Sequence, residues 1–298
     1  MDGLQFTSIC KHNCLIIFDA LSPGELQTGK HLYSNVQDHA FAIDRQGYCT
    51  RYEISSRSVL YARIMQVLQE CKAGVSKPVL HFEGHGDAAR GLYIAASSEY
   101  IAWADLQDLI AEVNEATRNN TGVVVAACHG FALAERLQCN TASPFNFLIA
   151  PDNEMSAGAF RDTMSGFYKI MAVSGDLASG LQVLPPTMQL RVAGEWFYRE
   201  LAAYFIHHFT QADRQVIIEE AVTQVMLRYK AIDRNNRRIL IKAARASVRK
   251  KLKFSDIARY FSQIFFHGSP PVTDADFTAF VDGAKTFHSA RQALRRIR

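Results

Sequence analysis

The chain has 298 residues, 48% of them hydrophobic and 21% charged, with a net charge of +4. That size and balance suggest about two domains and a core that needs no disulfide or metal staples, and they exclude disordered and collagen-like chains. No apolar run approaches the roughly 18 residues of a membrane span, and the opening MDGLQFTSICKHNC lacks the basic start and apolar stretch of a secretory leader.

The CLIIF run at 14–18 predicts a buried strand, followed by a turn-rich stretch at 22–29. Residues 56–74 have helical spacing, with Val59, Ile64, Val67 and Leu68 on one face and Ser56 as cap. PVLHF at 78–82 reads as a second buried strand, and GLYI at 91–94 with EYIA at 99–102 as a small hairpin. A helix is expected over 104–116, with Leu106, Leu109, Ile110 and Val113 inward. GVVVAA at 122–127 is strongly β-branched and predicts the central strand. A helix over 129–137, a strand at 145–150 and a helix over 158–172 complete the series. Alternating strands and helices imply an α/β unit, a mostly parallel sheet sandwiched by helices.

Charge divides the chain. Residues 1–189 hold 13 Lys and Arg against 19 Asp and Glu, whereas residues 190–298 hold 20 against 10. Pro185-Pro186 interrupts helical geometry between them, so two domains are expected, 1–186 and 187–298. The second reads as a basic, α-helical region. An aromatic-rich face spans 195–208, with Trp196, Phe197, Leu201, Tyr204 and Phe205, and a further helix spans 215–228. Residues 234–253 carry Arg234, Arg237, Arg238, Lys242, Arg245, Arg249, Lys250, Lys251 and Lys253, and the chain finishes Arg295-Arg296-Ile297-Arg298. Such a face suits solvent, the acidic N-terminal part, an acidic regulatory partner, an anionic membrane surface or nucleic acid. No zinc-finger, helix-turn-helix or RNA-binding motif supports base readout.

In parallel α/β sheets, sites form beyond the carboxyl ends of the strands. The first strand ends at Phe18-Asp19, the second runs into Glu83-Gly84-His85-Gly86, and the third runs into Cys128-His129-Gly130. A thiol becomes a good nucleophile as thiolate, and a neighbouring imidazole can accept its proton and later protonate the leaving group. His85 as base and Cys128 as nucleophile meet that need at one sheet edge. Gly84 and Gly86 permit a sharp turn and close approach, and the N–H groups of Gly86 and Cys128 can face a developing oxyanion. The six cysteines, at 10, 14, 49, 71, 128 and 139, include no C-x-x-C pair. Free thiols in a reducing, cytoplasmic setting are expected, five of them as small buried hydrophobes.

HFEGHG at 81–86 followed by GVVVAACHGF at 122–131 resembles the caspase-like cysteine peptidases, including metacaspases and bacterial CHAT-domain proteins. FLIAPDNEMSAGAF and the following MSGFYKIM extend the resemblance, which covers roughly residues 14–185. It implies a caspase-hemoglobinase fold and cysteine endopeptidase activity on a protein or peptide substrate, with His85 as base, Cys128 as nucleophile and Gly86 as oxyanion donor. It also implies cleavage of a partner protein in bacterial antiviral defence or regulated cell death. Two positions depart from the pattern. Ala126 stands where caspases have Gln and metacaspases have Asp, and His129 stands where caspases have Arg, Gln or Gly. Neither the Asp preference nor the Arg/Lys preference therefore carries over directly. By position, Asp19, Asp152 and Glu154 are the substrate-binding candidates, Asp152 foremost, as an acidic pocket for Arg or Lys.

Glu83 or Asp87 could orient His85. His81 reads as a core or interface histidine and His129 as the cap of the next helix. A zinc site from His81, His85, Cys128 and His129 is disfavoured, because strand-then-loop geometry spoils the i, i+4 helical spacing. Cys10, His12 and Cys14 are a weak metal trio. No metal or cofactor is expected, and no phosphate loop occurs. The alternative is a catalytically inactive caspase-like module that binds a partner protein or nucleic acid through its basic helices.

Overall fold

The continuous apolar runs at 14–18, 78–82 and 122–127 become the inner strands of a parallel sheet, buried on both faces as such runs require. The computed structural model describes residues 11–184, 187–209, 211–229, 233–251 and 254–296. Cys10, Pro185, Pro186, Lys253, Ile297 and Arg298, singled out above, lie outside them. In chain order the sheet unit comprises β1 (Cys14–Asp19), α1 (Thr28–Ala42), β2 (Cys49–Glu53), α2 (Arg57–Lys72) and β3 (Pro78–Glu83). Three short strands follow, β4 (His85–Asp87), β5 (Gly91–Ile94) and β6 (Glu99–Ile101). Then come α3 (Trp103–Ala116), β7 (Gly122–Ala126), a 3-10 segment Gly130–Ala134, β8 (Phe147–Pro151), α4 (Ala157–Ser174), α5 (Leu177–Leu181) and β9 (Met188–Val192). The helical remainder is α6 (Ala193–His207), α7 (Gln211–Arg228), α8 (Arg234–Lys251), α9 (Phe254–Phe265) and α10 (Asp274–Arg296).

The main sheet has the order β2-β1-β3-β7-β8-β9, and β4-β5-β6 form a separate antiparallel sheet. All main-sheet pairings are parallel except that of β9 with β8. On one face Phe18, Leu80, Phe82, Val123 and Val125 pack in one cluster with Leu60 and Ile64 of α2 and Leu106 and Ile110 of α3. On the other, Ile17, Val79, Val124 and Ile149 pack with Leu32 and Val36 of α1 and Phe167 and Met171 of α4. Ser56 caps α2 through its side chain, which accepts from the Val59 N–H at 3.2 Å.

The C-terminal helices extend the first of these layers. Phe197 and Leu201 of α6, Phe265 of α9, and Phe277 and Val281 of α10 join the same cluster as the sheet residues. Phe197 and Phe265 pack with ring centroids 4.6 Å apart and planes tilted by 30°. Each fully buried ring of this kind contributes about 1.5–3 kcal/mol relative to exposure. No helix among the described residues is long and apolar enough to cross a membrane.

Several elements differ from the sequence expectation. The helix expected over 129–137 is only the 3-10 segment, because His129 adopts left-handed backbone (φ 59°, ψ 16°) and breaks the helical path at its start. Helix α1 and strand β2 are additional. The inward stripe of α1 is narrow, Leu32, Val36 and Ala40 among mostly polar residues, and β2 is an edge strand reading CTRYE. The sheet also draws its last strand from beyond the expected boundary at 186, since β9 pairs with β8 along its whole length.

Candidate active site

The register of β3 and β7 sets the site. Val79 pairs with Gly122, and the pairing continues in step to Glu83 with Ala126. Two residues past that last pair, the strands deliver His85 and Cys128, so both occupy equivalent positions beyond neighbouring parallel strands. Gly86 brings the two chain segments together. A Cβ at this position would lie 1.8 Å from the Cys128 carbonyl oxygen and 3.1 Å from its nitrogen, so only glycine permits the contact.

The side chains have their own partners. His85 is 58% exposed, and its Nε2 donates to Glu25 Oε1 at 2.6 Å. Glu25 lies in the loop between β1 and α1 and also accepts the Ser22 N–H at 2.6 Å. Burial pushes the Glu25 carboxyl up, but the Ser22 N–H and the His85 ring outweigh it, and the group is held below the ordinary glutamate range. An ionised Glu25 fixes the proton on Nε2 and leaves Nδ1 as the basic nitrogen of His85. Cys128 Sγ, half-buried, lies 3.9 Å from the Met155 carbonyl oxygen and makes no hydrogen bond to His85. Catalytic hydrogen bonds often close only in the substrate complex. All five described cysteines are free thiols. Burial pushes the Cys14 thiol up, and raises Cys49 and Cys71 to about 12 and Cys139 to about 11.

Glu25 is the residue the sequence reading missed. The expected orienting groups are engaged elsewhere. Asp87 accepts from Arg90 Nη2 at 3.0 Å. Glu83 accepts from Thr28 Oγ1 at 2.6 Å and bonds His81 Nε2 at 2.9 Å, while His81 Nδ1 meets the Tyr168 hydroxyl at 2.8 Å. This buried chain ties α4, β3 and α1 together beneath the site, and His81 is a satisfied core histidine. Glu25 carries one local clue, its place just after the Ser22-Pro23-Gly24 turn, but no spacing rule links it to a histidine 60 residues on.

The three substrate-binding candidates have different settings. Asp19 is correctly placed at the end of β1, opposite Glu83, but its side chain is only 1% exposed. Arg51 Nε donates to it at 2.8 Å, and the Leu21 N–H at 3.2 Å. Burial raises its carboxyl against the pull of Arg51. Asp19 is thus an interior ion-pair member rather than a free anion facing a substrate cation. Gly29 at the start of α1 abuts this carboxylate, and a Cβ there would lie 2.6 Å from Asp19 Oδ2. Asp152 and Glu154 are exposed, on the loop between β8 and α4 that also supplies Met155 beside Cys128. The Asp152 carbonyl oxygen lies 3.2 Å from His129 Nδ1, so His129 braces this loop; its side chain makes no helix-capping bond.

Among the described residues, no group of three His, Cys, Asp or Glu is arranged to hold a metal ion. No protein-family model matches the chain, and no curated protein is detectably similar to it.

Proposed function

We propose that this chain is a cysteine endopeptidase of caspase-like architecture that cuts a partner protein through His85 and Cys128. The observation that carries the reading is the matched position of the two residues past adjacent strands, with the Gly86 backbone packed against Cys128. Nδ1 of His85 takes the thiol proton, and Sγ attacks the scissile carbonyl carbon. The N–H groups of Gly86 and Cys128 receive the oxyanion. His85 then protonates the departing amine, leaving a thioester on Cys128, and the same imidazole activates the water that hydrolyses it. Glu25 holds the imidazole tautomer throughout, the part a carboxylate plays in the Ser-His-Asp triad. The exposed Asp152 and Glu154 remain candidates to attract a basic substrate side chain.

The test is cleavage of a diverse peptide library by the full chain and by Cys128→Ala. Loss of all cleavage with an unchanged circular dichroism spectrum supports the reading; cleavage retained by Cys128→Ala rejects it.

A second reading, an inactive module that binds through its basic helices, draws on α8. Its Arg237, Arg238, Lys242, Arg249 and Lys250 are exposed and form no salt bridge among the described residues, while Arg245 pairs with Glu219. Binding of nucleic acid that weakens steeply with salt, in a chain with no Cys128-dependent cleavage, would favour it.

A further inference from the structure

The small sheet that carries His85 also carries a row of rings. Register pairs His85 with Tyr93 and Tyr93 with Tyr100, so the three side chains stand side by side on one face. The ring centroids of His85 and Tyr93 are 6.4 Å apart, and those of Tyr93 and Tyr100 are 4.8 Å apart. Strand alternation sends Leu92, Ile94 and Ile101 to the opposite face, where they are buried in the core. The tyrosines are left half-buried. Arg90 lies over Tyr100, 4.2 Å from its ring centre, and its guanidinium is matched by Asp87 at 3.0 Å and 3.3 Å. The row is therefore aromatic and locally neutral, its rings tilted by 49° and 41° to their neighbours, and it begins at the imidazole.

We infer that Tyr93 and Tyr100 form the subsite for substrate residues on the leaving-group side of the scissile bond, and that this subsite takes an aromatic side chain. The inference rests on the proteolytic reading. In the acylation step the Sγ–C bond forms and the C–N bond breaks, and the proton that left Sγ passes from His85 to the departing amine nitrogen. That nitrogen must come within hydrogen-bond reach of the imidazole, so the chain that follows it leaves past the His85 ring. Glu25 occupies the ring at Nε2, and Tyr93 flanks it in the sheet. An extended peptide advances about 3.3 Å per residue. Tyr93 thus lies about two residues beyond the cleaved bond, and Tyr100 about three. Offset ring stacking suits a substrate aromatic.

The experiment sequences the products of a randomised peptide library by mass spectrometry, using the full chain, Tyr93→Ala and Tyr93→Phe. The wild type should enrich aromatic residues at the second and third positions after the cut. Tyr93→Ala should lower that enrichment roughly two- to tenfold, while keeping the wild-type selectivity before the cut, and Tyr93→Phe should preserve it. If Tyr93→Ala yields no products, Tyr93→Leu, which fills the space without a ring, is read in the same way. No aromatic preference in the wild type, or one that survives loss of the ring, overturns the inference while leaving Cys128-dependent cleavage standing. Absence of any wild-type cleavage overturns the proteolytic reading, and this inference falls with it.

Discussion

In the sheet unit, Asp19, His81 and Glu83 are 2%, 0% and 5% exposed, and each has a specific partner: Arg51, Tyr168 and Thr28 respectively. In α8, Arg237, Arg238, Lys242, Arg249 and Lys250 face solvent without a salt bridge among the described residues. The acidic half therefore uses its charges to fix strand ends and helix starts around one edge, and the basic half leaves its charges outside an aromatic core. Deleting Arg51 strands the buried Asp19 carboxylate, whereas deleting one of these five α8 cations breaks no salt bridge among the described residues. This difference makes the two halves separable by mutation.

The largest effect expected is at the sheet edge itself. His85→Ala should lower cleavage by about 10²–10⁴-fold with no loss of thermal stability, because the side chain is more than half exposed. A joint loss of activity and of melting temperature would mean that His85 supports the fold instead. Next is Arg51→Met, which leaves the Asp19 carboxylate buried and unpaired and should cost about 3–5 kcal/mol, read from urea unfolding. A change below about 1 kcal/mol would place Asp19 in contact with solvent and weaken the contrast between the halves.

Glu25→Gln keeps shape and removes charge. Rate should fall by about tenfold, chiefly in kcat, since the amide no longer stabilises the imidazolium that forms during acylation. The pH sign follows from the lowered Glu25 carboxyl. Its pairing with His85 is complete above the ordinary glutamate range and is lost as pH falls through the depressed value. Read from thermal unfolding, the stability advantage of the wild type over Glu25→Gln should be present above the ordinary glutamate range and shrink on acidification. A wild-type-minus-variant difference that does not change with pH would remove Glu25 from the account. The smallest effect belongs to the helical half. Lys242→Ala should change unfolding free energy by no more than about 0.5 kcal/mol, and a larger loss would show that α8 is clamped by its charges after all.

The strands were the legible part of this fold. CLIIF, PVLHF and GVVVAA announce themselves because both faces of each are buried, and the hairpin at 91–101 is visible in its alternation. Helix α1 and strand β2 were not predicted: β2 is a short edge strand reading CTRYE, and α1 marks its inward face with only Leu32, Val36 and Ala40 among mostly polar residues. At the candidate site, the approach of the His85-Gly86 and Cys128 segments could be read because strand-end glycines mark where backbone must turn or touch. Glu25, Arg51, Thr28 and Tyr168 could not. Each acts through a partner 32 to 87 residues away, and only the register of β1 against β2 and β3 and the packing of α1 and α4 bring them together. The same packing removed Asp19 from the list of open anions, since nothing in the local sequence reveals that Arg51 emerges beside it.

The most direct measurement is the rate at which each thiol of the native chain reacts with iodoacetamide, resolved by peptide mass spectrometry, in the wild type and in His85→Ala. Cys128 should alkylate faster than Cys14, Cys49, Cys71 and Cys139, whose thiols burial holds protonated, and its advantage should shrink when the imidazole is removed. A Cys128 that reacts no faster than Cys139, or that ignores the loss of His85, would contradict the dyad.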